Sequence, residues 1–257
     1  MYRKIAFLLT VISVLCGSTA LGIVPMGPPT AVLKEGQLSI GFDYGYGESD
    51  VDFIGEVNGV DVKGKFEDMK SNSLMGRLGY GLYRYGGNWD VYLLFGAANA
   101  DQNDFDGDYG FSGGFATKIT LFKDGNLSWG ALYQMQLSRS RGSFAADLKV
   151  WDPNWDLGVV DLDAEADWFE IQAAAGPTYQ MGGLRIYGGP VLYYIDGDIE
   201  YDVADTDLSF TIDFDQKTYF GGYAGVELNL RDNSYLYVEY QATDDAEAVG
   251  GGICWRF

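Results

Sequence analysis

The chain has 257 residues, a formal net charge of -20 and no histidine. Without imidazole, Ser-His-Asp and Cys-His catalysis, histidine proton shuttling and most zinc sites are excluded. The acidic balance argues against nucleic acid, because a polyphosphate partner needs a basic face, and the length fits one large all-β domain or two smaller ones.

Arg3 and Lys4 precede an apolar run from Ile5 to Leu15, followed by the small residues Gly17, Ser18, Thr19 and Ala20, which is the layout of a secretory signal peptide. The run is too short to span a bilayer as a helix. Cleavage after Ala20 or after Gly22 suits the small residues there. The later site divides the chain into a signal peptide (1–22), a Pro-rich periplasmic leader (23–33) and a barrel (34–257). Cys16 follows Leu15 rather than a small residue, so lipidation is not expected. Removing the signal leaves Cys254 as the one thiol, and an intrachain disulfide is then impossible.

From Leu38 onward the ordered stretches alternate with period two, and none shows a helical stripe. The first places Leu38, Ile40, Phe42, Tyr44 and Tyr46 on one face. The second carries Leu74, Leu78, Tyr80 and Leu82, and the third Trp89, Val91, Leu93, Phe95 and Ala97. Phe111, Phe115, Ile119 and Leu121 follow, then Leu127 to Leu137, Phe169 to Ala175, Leu184 to Tyr194, Phe220 to Leu230, Leu236 to Tyr240, and finally Val249, Ile253, Trp255 and Phe257. Four connections, around Gly86-Gly87, Asp124-Gly125, Gly182-Gly183 and Asp232-Asn233, are built of turn residues that tolerate positive φ. The other five, 47–72, 99–110, 139–167, 196–217 and 243–248, are mostly longer and acidic.

Short turns at one end, long loops at the other and an apolar face flanked by aromatics predict an all-β, antiparallel up-and-down transmembrane β-barrel. Ten strands are counted; eight or twelve stay open, since 51–70 could add a hairpin. A soluble β-sandwich would also alternate, but it has no reason to segregate loop lengths in this way. The chain resembles the small single-chain outer-membrane barrels of Gram-negative bacteria, in the opacity-type and outer-membrane-protein-A-like sense. The last residues carry the most specific likeness: Gly252, Ile253, Trp255 and Phe257 look like the C-terminal signal read by the barrel assembly machinery. The resemblance implies an exported monomer in the outer membrane, in contact with its lipid and lipopolysaccharide.

Nine ionisable residues fall on the inward face. The cations are Arg77, Lys118, Arg185 and Arg256, and the anions are Asp43, Asp90, Glu170, Glu227 and Glu239. Charges in a narrow lumen are costly unless paired, so they read as a salt-bridge ladder that either gates a pore or fills the interior. Ten strands stand near the size at which side chains fill a barrel, which favours filling over a wide pore.

Beyond the apolar band the parity inverts. Glu48, Asp50 and Asp52, then Asp161 to Asp167, then Asp196 to Asp202 take the outward register, while apolar residues turn in. Strands that leave lipid for water would show this change of face. The inward line Phe53, Leu162, Trp168, Ile199 and Tyr201 is expected to form a packed cap or a vestibule for a hydrophobic molecule.

No cofactor is called for. The acidic loop from Asp101 to Asp108 matches a calcium loop poorly, with Gln102 and Gly113 where ligands are needed, so no metal site is assigned. Weak Ca²⁺ or Mg²⁺ association would nevertheless let acidic loops approach lipopolysaccharide phosphates. The enzymes that resemble this architecture rely on a catalytic histidine, so no enzyme is expected. Two functions follow: a non-enzymatic surface barrel with an acidic extracellular crown touching lipopolysaccharide, divalent cations or a partner, or a narrow channel for small or hydrophobic solutes.

Overall fold

The computed structural model describes residues 24–57, 60–84, 87–102, 105–147, 159–203, 209–215 and 220–257. The signal peptide read over 1–22 lies outside them. Twelve strands run in chain order: β1 (Leu38–Val57), β2 (Val60–Arg84), β3 (Gly87–Gln102), β4 (Phe105–Asp106), β5 (Gly110–Asp124), β6 (Leu127–Asp147), β7 (Val159–Met181), β8 (Leu184–Val203), β9 (Ser209–Asp215), β10 (Phe220–Arg231), β11 (Ser234–Thr243) and β12 (Ala246–Arg256). All pairings are antiparallel.

Ten of these strands close a ring. Each pairs with its neighbour along β1, β2, β3, β5, β6, β7 and β8, β10 takes up the edge of β8, and β12 returns to β1. The two others are side branches of that ring. β4 pairs with the end of β3, and β9 lies between β8 and β1 above the point where β10 begins. Phe220 faces Leu192 and Asp215 faces Asp196, so β9 and β10 descend the same edge of β8 one after the other. The hairpin β11–β12 ends earlier than its neighbours, and β9 closes the gap above it onto β1. Within 51–70, where an extra hairpin stayed open, residues 51–57 and 60–70 are the upper parts of β1 and β2. A bulge between Ser49 and Val51 resets their register there. After it Lys63 and Lys65 occupy the outward face of β2 that Leu74 and Leu78 held below, because a bulge inserts one residue and flips the alternation.

The lower ring presents side chains of hydrocarbon character outward. Leu93 is 57% exposed, Leu74 58% and Leu192 53%, all within one continuous belt. Such a belt would be intolerable in water and is what lipid requires. Along β3 it runs from Trp89 to Ala97. About nine tilted residues at about 3.3 Å each rise about 25 Å, the height of a barrel's apolar band. Ring closure leaves no sheet edge unpaired in lipid, and this is the physical reason for a barrel rather than an open sheet.

Above the belt the longer strands continue. β6 and β7 stay paired to Asp147 and Val159, and β7 and β8 to Leu162 and Val203. Their inward residues form the largest apolar core of the protein, with Val51, Met69, Leu162, Trp168, Ile199, Tyr201 and Phe214 buried and Phe53 packed against them. The fold is therefore two-storeyed, a polar lumen inside the lipid belt and an apolar core inside the crown.

The stretch read as a periplasmic leader is located differently from that expectation. From Val24 to Leu33 it lies inside the ring, with Val24, Met26, Thr30 and Leu33 at most 4% exposed. It enters from the short-turn end, where Gly36 N–H donates to Gly81 O (2.9 Å) and Gly81 N–H to Gln37 O (2.9 Å). Composition alone does not separate a Pro-rich linker from a Pro-rich plug, since both avoid strand pairing.

Candidate functional site

The site is the lumen with its internal plug. A segment without secondary structure that is buried in a barrel must find partners for its backbone groups. Pro25, Pro28 and Pro29 bring no N–H at all. Two of the donors that remain, Met26 N and Gly27 N, reach the two oxygens of Glu239, each at 2.9 Å. Val32 N and Leu33 N reach Asp90, at 2.7 and 3.2 Å. Gly27, the second of these donors, has φ +73°, a left-handed conformation that glycine adopts without steric cost and that turns the chain just after the two N–H groups.

The carbonyls are met from the other side. Arg77 donates through Nη2 to Pro25 O (2.8 Å), Gln134 through Nε2 to Val24 O (3.2 Å) and Thr120 through Oγ1 to Ala31 O (3.4 Å). Thr30 Oγ1 donates to Thr178 Oγ1 at 3.1 Å. Gly130 lets the plug lie against the wall, because a Cβ there would meet Pro29 O at 2.5 Å.

Arg77 is the hub. Its Nε meets Asp43 at 2.8 Å, and Nη2 also donates to Tyr237 Oη at 2.9 Å, while the Tyr237 hydroxyl in turn donates to Asp43 at 2.6 Å. The guanidinium carbon lies 5.4 Å from the Tyr92 ring centre and 5.7 Å from that of Tyr237, within cation–π range. The side chains of Arg77 and Asp43 are 4% and 2% exposed, so the pair is fully desolvated and every polar atom depends on this geometry. Gly252 opposite makes the room, since a Cβ there would collide with the Asp43 carboxylate.

The remaining lumen charges form clusters rather than one ladder. Arg185 and Glu227 are an ion pair at 2.9 Å near the short-turn end. Their contact is close, but it lacks the alignment of a hydrogen bond. Arg256 donates to Asn229 at 3.1 Å and stacks over Tyr235 at 4.9 Å. Lys118 stands in register with Asp90, yet it lies over the Tyr92 ring at 5.6 Å and beside Gly27, while Asp90 takes its donors from the plug and from Tyr92 (3.0 Å). Glu170 stands apart, higher on β7, and accepts from Trp168 Nε1 at 2.8 Å. Alternation read the inward face. It could not reveal that two of the five carboxylates bind backbone N–H groups of the chain's own start.

The five residues considered for a vestibule, Phe53, Leu162, Trp168, Ile199 and Tyr201, come together in the crown core. Leu162 is fully buried, and Trp168, Ile199 and Tyr201 are 5–6% exposed. Burial pushes the Tyr201 hydroxyl up to about 12. Outside this core the crown carries acidic rows. Arg139, Asp167, Asp198 and Asp213 succeed one another across β6, β7, β8 and β9, and Arg141, Glu165 and Glu200 form the row beside them. The arginines hold the near end: Arg139 meets Asp167 at 2.7 Å and Glu165 at 2.9 Å, and Arg141 meets Glu165 at 2.6 Å. Asp198 faces carboxylates on both sides. Partial burial first, then Asp167 and Asp213, raise its pKa above the usual carboxylate value.

In the loop weighed for calcium, the Asp101 carboxylate accepts from Asn99 at 3.0 Å and from Gly107 N at 3.0 Å, bonds that tie the turn to itself. Cys254 is a buried free thiol packed with Tyr235 and Tyr237. At the C-terminus Ile253 and Trp255 sit on the outward face of β12, Gly252 on the inward one, and Phe257, 72% exposed, donates its N–H to Leu38 O at 2.8 Å.

Among solved structures, the chain is similar to the translocator domain of the autotransporter NalP from Neisseria meningitidis, at 12% identity over 88% of this chain and 89% of that one, with a TM-score of 0.49. It is similar to the outer membrane protease OmpT from Escherichia coli at 12% identity over 85% and 97%, TM-score 0.49. Likeness to the toluene transporter TodX from Pseudomonas putida is 7% identity over 93% and 99%, TM-score 0.45. No family model and no curated protein matches the chain. None of these names assigns an activity to it.

Proposed function

We propose that the protein is a non-enzymatic outer-membrane barrel, closed to solutes in its resting form, whose acidic crown contacts the cell-surface environment. The observation that carries this reading is the double filling of the interior. Val24 to Leu33 occupy the lower lumen on bonds to Glu239, Asp90 and Arg77, and an apolar core occupies the crown. Carboxylate rows facing outward repel the phosphates of lipopolysaccharide unless divalent cations bridge the two, so the expected contact is Ca²⁺- or Mg²⁺-assisted.

Two measurements test it. In planar bilayers the protein gives no discrete conductance steps. On vesicles bearing lipopolysaccharide, Ca²⁺ strengthens crown association beyond NaCl of matched ionic strength, and replacing Asp198, Glu200 and Asp213 by their amides removes the difference. Steps that change with Arg185→Gln or Glu170→Gln would instead establish a narrow channel. An equal response to Ca²⁺ and NaCl would remove the ion-bridged contact.

A further inference from the structure

A groove of about 590 Å³ opens on the outer wall where the lipid belt meets the crown. Its lower part is Phe111, Leu137 and Phe169, outward residues continuous with the belt; Phe111 is 70% exposed and Leu137 58%. Its upper part is Arg139, Asp167, Asp196 and Asp198. The register explains the division. Leu137 stands beside Phe169 and Phe169 beside Asp196, so Asp196 enters the last apolar row, while Arg139, Asp167 and Asp198 form the next row, about 7 Å nearer water. A groove of this size holds a headgroup with the first part of its chains. Its lower part belongs to the surface that the belt already presents to lipid, and a bare ion would leave that apolar half unused.

The charges of the upper part are separated in space. The Arg139 guanidinium leans over β7, with Nε and Nη2 donating to Asp167 at 2.7 and 2.9 Å and Nη1 beside Glu165 at 2.9 Å. The second N–H of each Nη remains for an outside oxygen, and the side chain is 50% exposed. On β8, Asp196 and Asp198 make no ion pair among the described residues, and their neighbours on β9 are again carboxylates, Asp215 and Asp213. A donor for phosphate therefore lies one strand spacing, about 4.8 Å, from two carboxylates that lack a cation. We propose that this groove holds a glycerophospholipid with a phosphoethanolamine headgroup, its phosphate on Arg139, its ammonium on Asp196 and Asp198, and its acyl chains over Phe111, Leu137 and Phe169. The ethyl arm of the headgroup spans such a spacing, and the ammonium brings three N–H donors to the carboxylates. A glycerol headgroup carries no positive charge, and a trimethylammonium carries charge without a donor. The low dielectric at the edge of the lipid makes these contacts stronger than they would be in open water. The inference rests on the outward belt and needs neither lipopolysaccharide nor a divalent ion.

The test uses the full chain folded in vesicles that are free of lipopolysaccharide and kept in EDTA, so that an ion-bridged contact of the crown cannot contribute. The vesicles hold phosphatidylethanolamine and phosphatidylglycerol in equal amounts, and native mass spectrometry after transfer to detergent reads the lipid that stays bound. Phosphatidylethanolamine is expected to be enriched about tenfold, the ratio that a preference of about 1.4 kcal/mol gives. Asp196→Asn together with Asp198→Asn should abolish the enrichment, whereas Glu200→Gln, on the same face of β8 but outside the groove, should keep it. Heat-modifiable gel mobility confirms that each variant is folded. A carbodiimide on the unmutated protein gives a second readout that needs no variant. It couples the lipid amine to Asp196 or Asp198 as an amide, taking up the water released, and peptide mapping locates the bond. Equal retention of the two lipids, equal retention when phosphatidylcholine replaces phosphatidylethanolamine, an enrichment that survives the double change or falls as far with Glu200→Gln, or coupling absent from Asp196 and Asp198 would each overturn the proposal.

Discussion

Replacing Arg77 by Met tests the plugged lumen at its hub. Met keeps much of the aliphatic stem between Tyr92 and Tyr237 and removes the charge with its donors. Asp43, 2% exposed, would keep one hydrogen bond from Tyr237 and no counter-charge. Stranding one member of a buried pair costs about 3–5 kcal/mol, and leaving Pro25 O short of its donor adds about 1 kcal/mol. Neither figure is additive with the other, and a net loss of about 4 kcal/mol is expected. Asp43→Asn in the same chain removes the stranded charge and should restore about 2 kcal/mol. Urea titration of the barrel in phospholipid vesicles, followed by tryptophan fluorescence and by heat-modifiable gel mobility, reads all four corners of the cycle. The reasoning fails if Arg77→Met alone stays within about 0.5 kcal/mol of the wild type, or if the double variant is less stable than the two single losses together.

Glu239→Gln weakens the plug by replacing a charge-assisted acceptor of Met26 N and Gly27 N with a neutral one. With Cys254→Ser as background, a cysteine substituted at Val24 should react with a water-soluble maleimide about tenfold faster when Glu239 is changed, a loss of about 1.4 kcal/mol in plug seating. Trp168→Ala removes a core side chain of the crown together with the donor to Glu170, and about 3–5 kcal/mol of stability should go with it. Trp168→Phe, which keeps most of the volume, should cost about 1–3 kcal/mol through the lost hydrogen bond; a negligible loss in Trp168→Phe would point to packing alone. The crown should also respond to acid. Because the Asp198 pKa is raised in the folded state, that state prefers the protonated form. The stabilisation is complete below the ordinary carboxylate value of about 3.9 and is lost as pH rises through the folded value. Thermal unfolding at pH 4.5 and 7.5 should show this gain on acidification, smaller in Asp198→Asn; an unchanged difference would exclude Asp198 as its source.

The lipid belt was legible because it obeys a two-residue period with a single solvent on each side. Leu74, Leu93 and Leu192 are outward, and Asp43, Arg77 and Glu239 are inward, as alternation requires. The crown was legible for a related reason, since the change from lipid to water inverts which parity is charged. What alternation could not convey was pairing across the lumen. Nine inward charges suggested cation–anion partners, yet Asp90 and Glu239 are satisfied by backbone N–H groups of a segment with no period at all. Its three prolines signal only that strand pairing is avoided. The other obscured feature is β9, seven residues inside an acidic loop, whose place between β8 and β1 depends on how early the β11–β12 hairpin ends.

The plug also constrains the order in which the protein is built. Val24 to Leu33 belong to the start of the chain, yet their anchors are drawn from both ends of the ring, Arg77 and Asp90 on β2 and β3, Tyr237 and Glu239 on β11. This segment, which precedes every strand of the ring, must therefore wait for one of its last strands before it can settle. Until β11 arrives and β12 meets β1, the nascent interior is wet and unobstructed. Such long-range closure is slow because the loop entropy must be overcome first. Sealing is accordingly a closing event of biogenesis, and an arrested intermediate lacking the final hairpin would be leaky even though most of its wall is already in place.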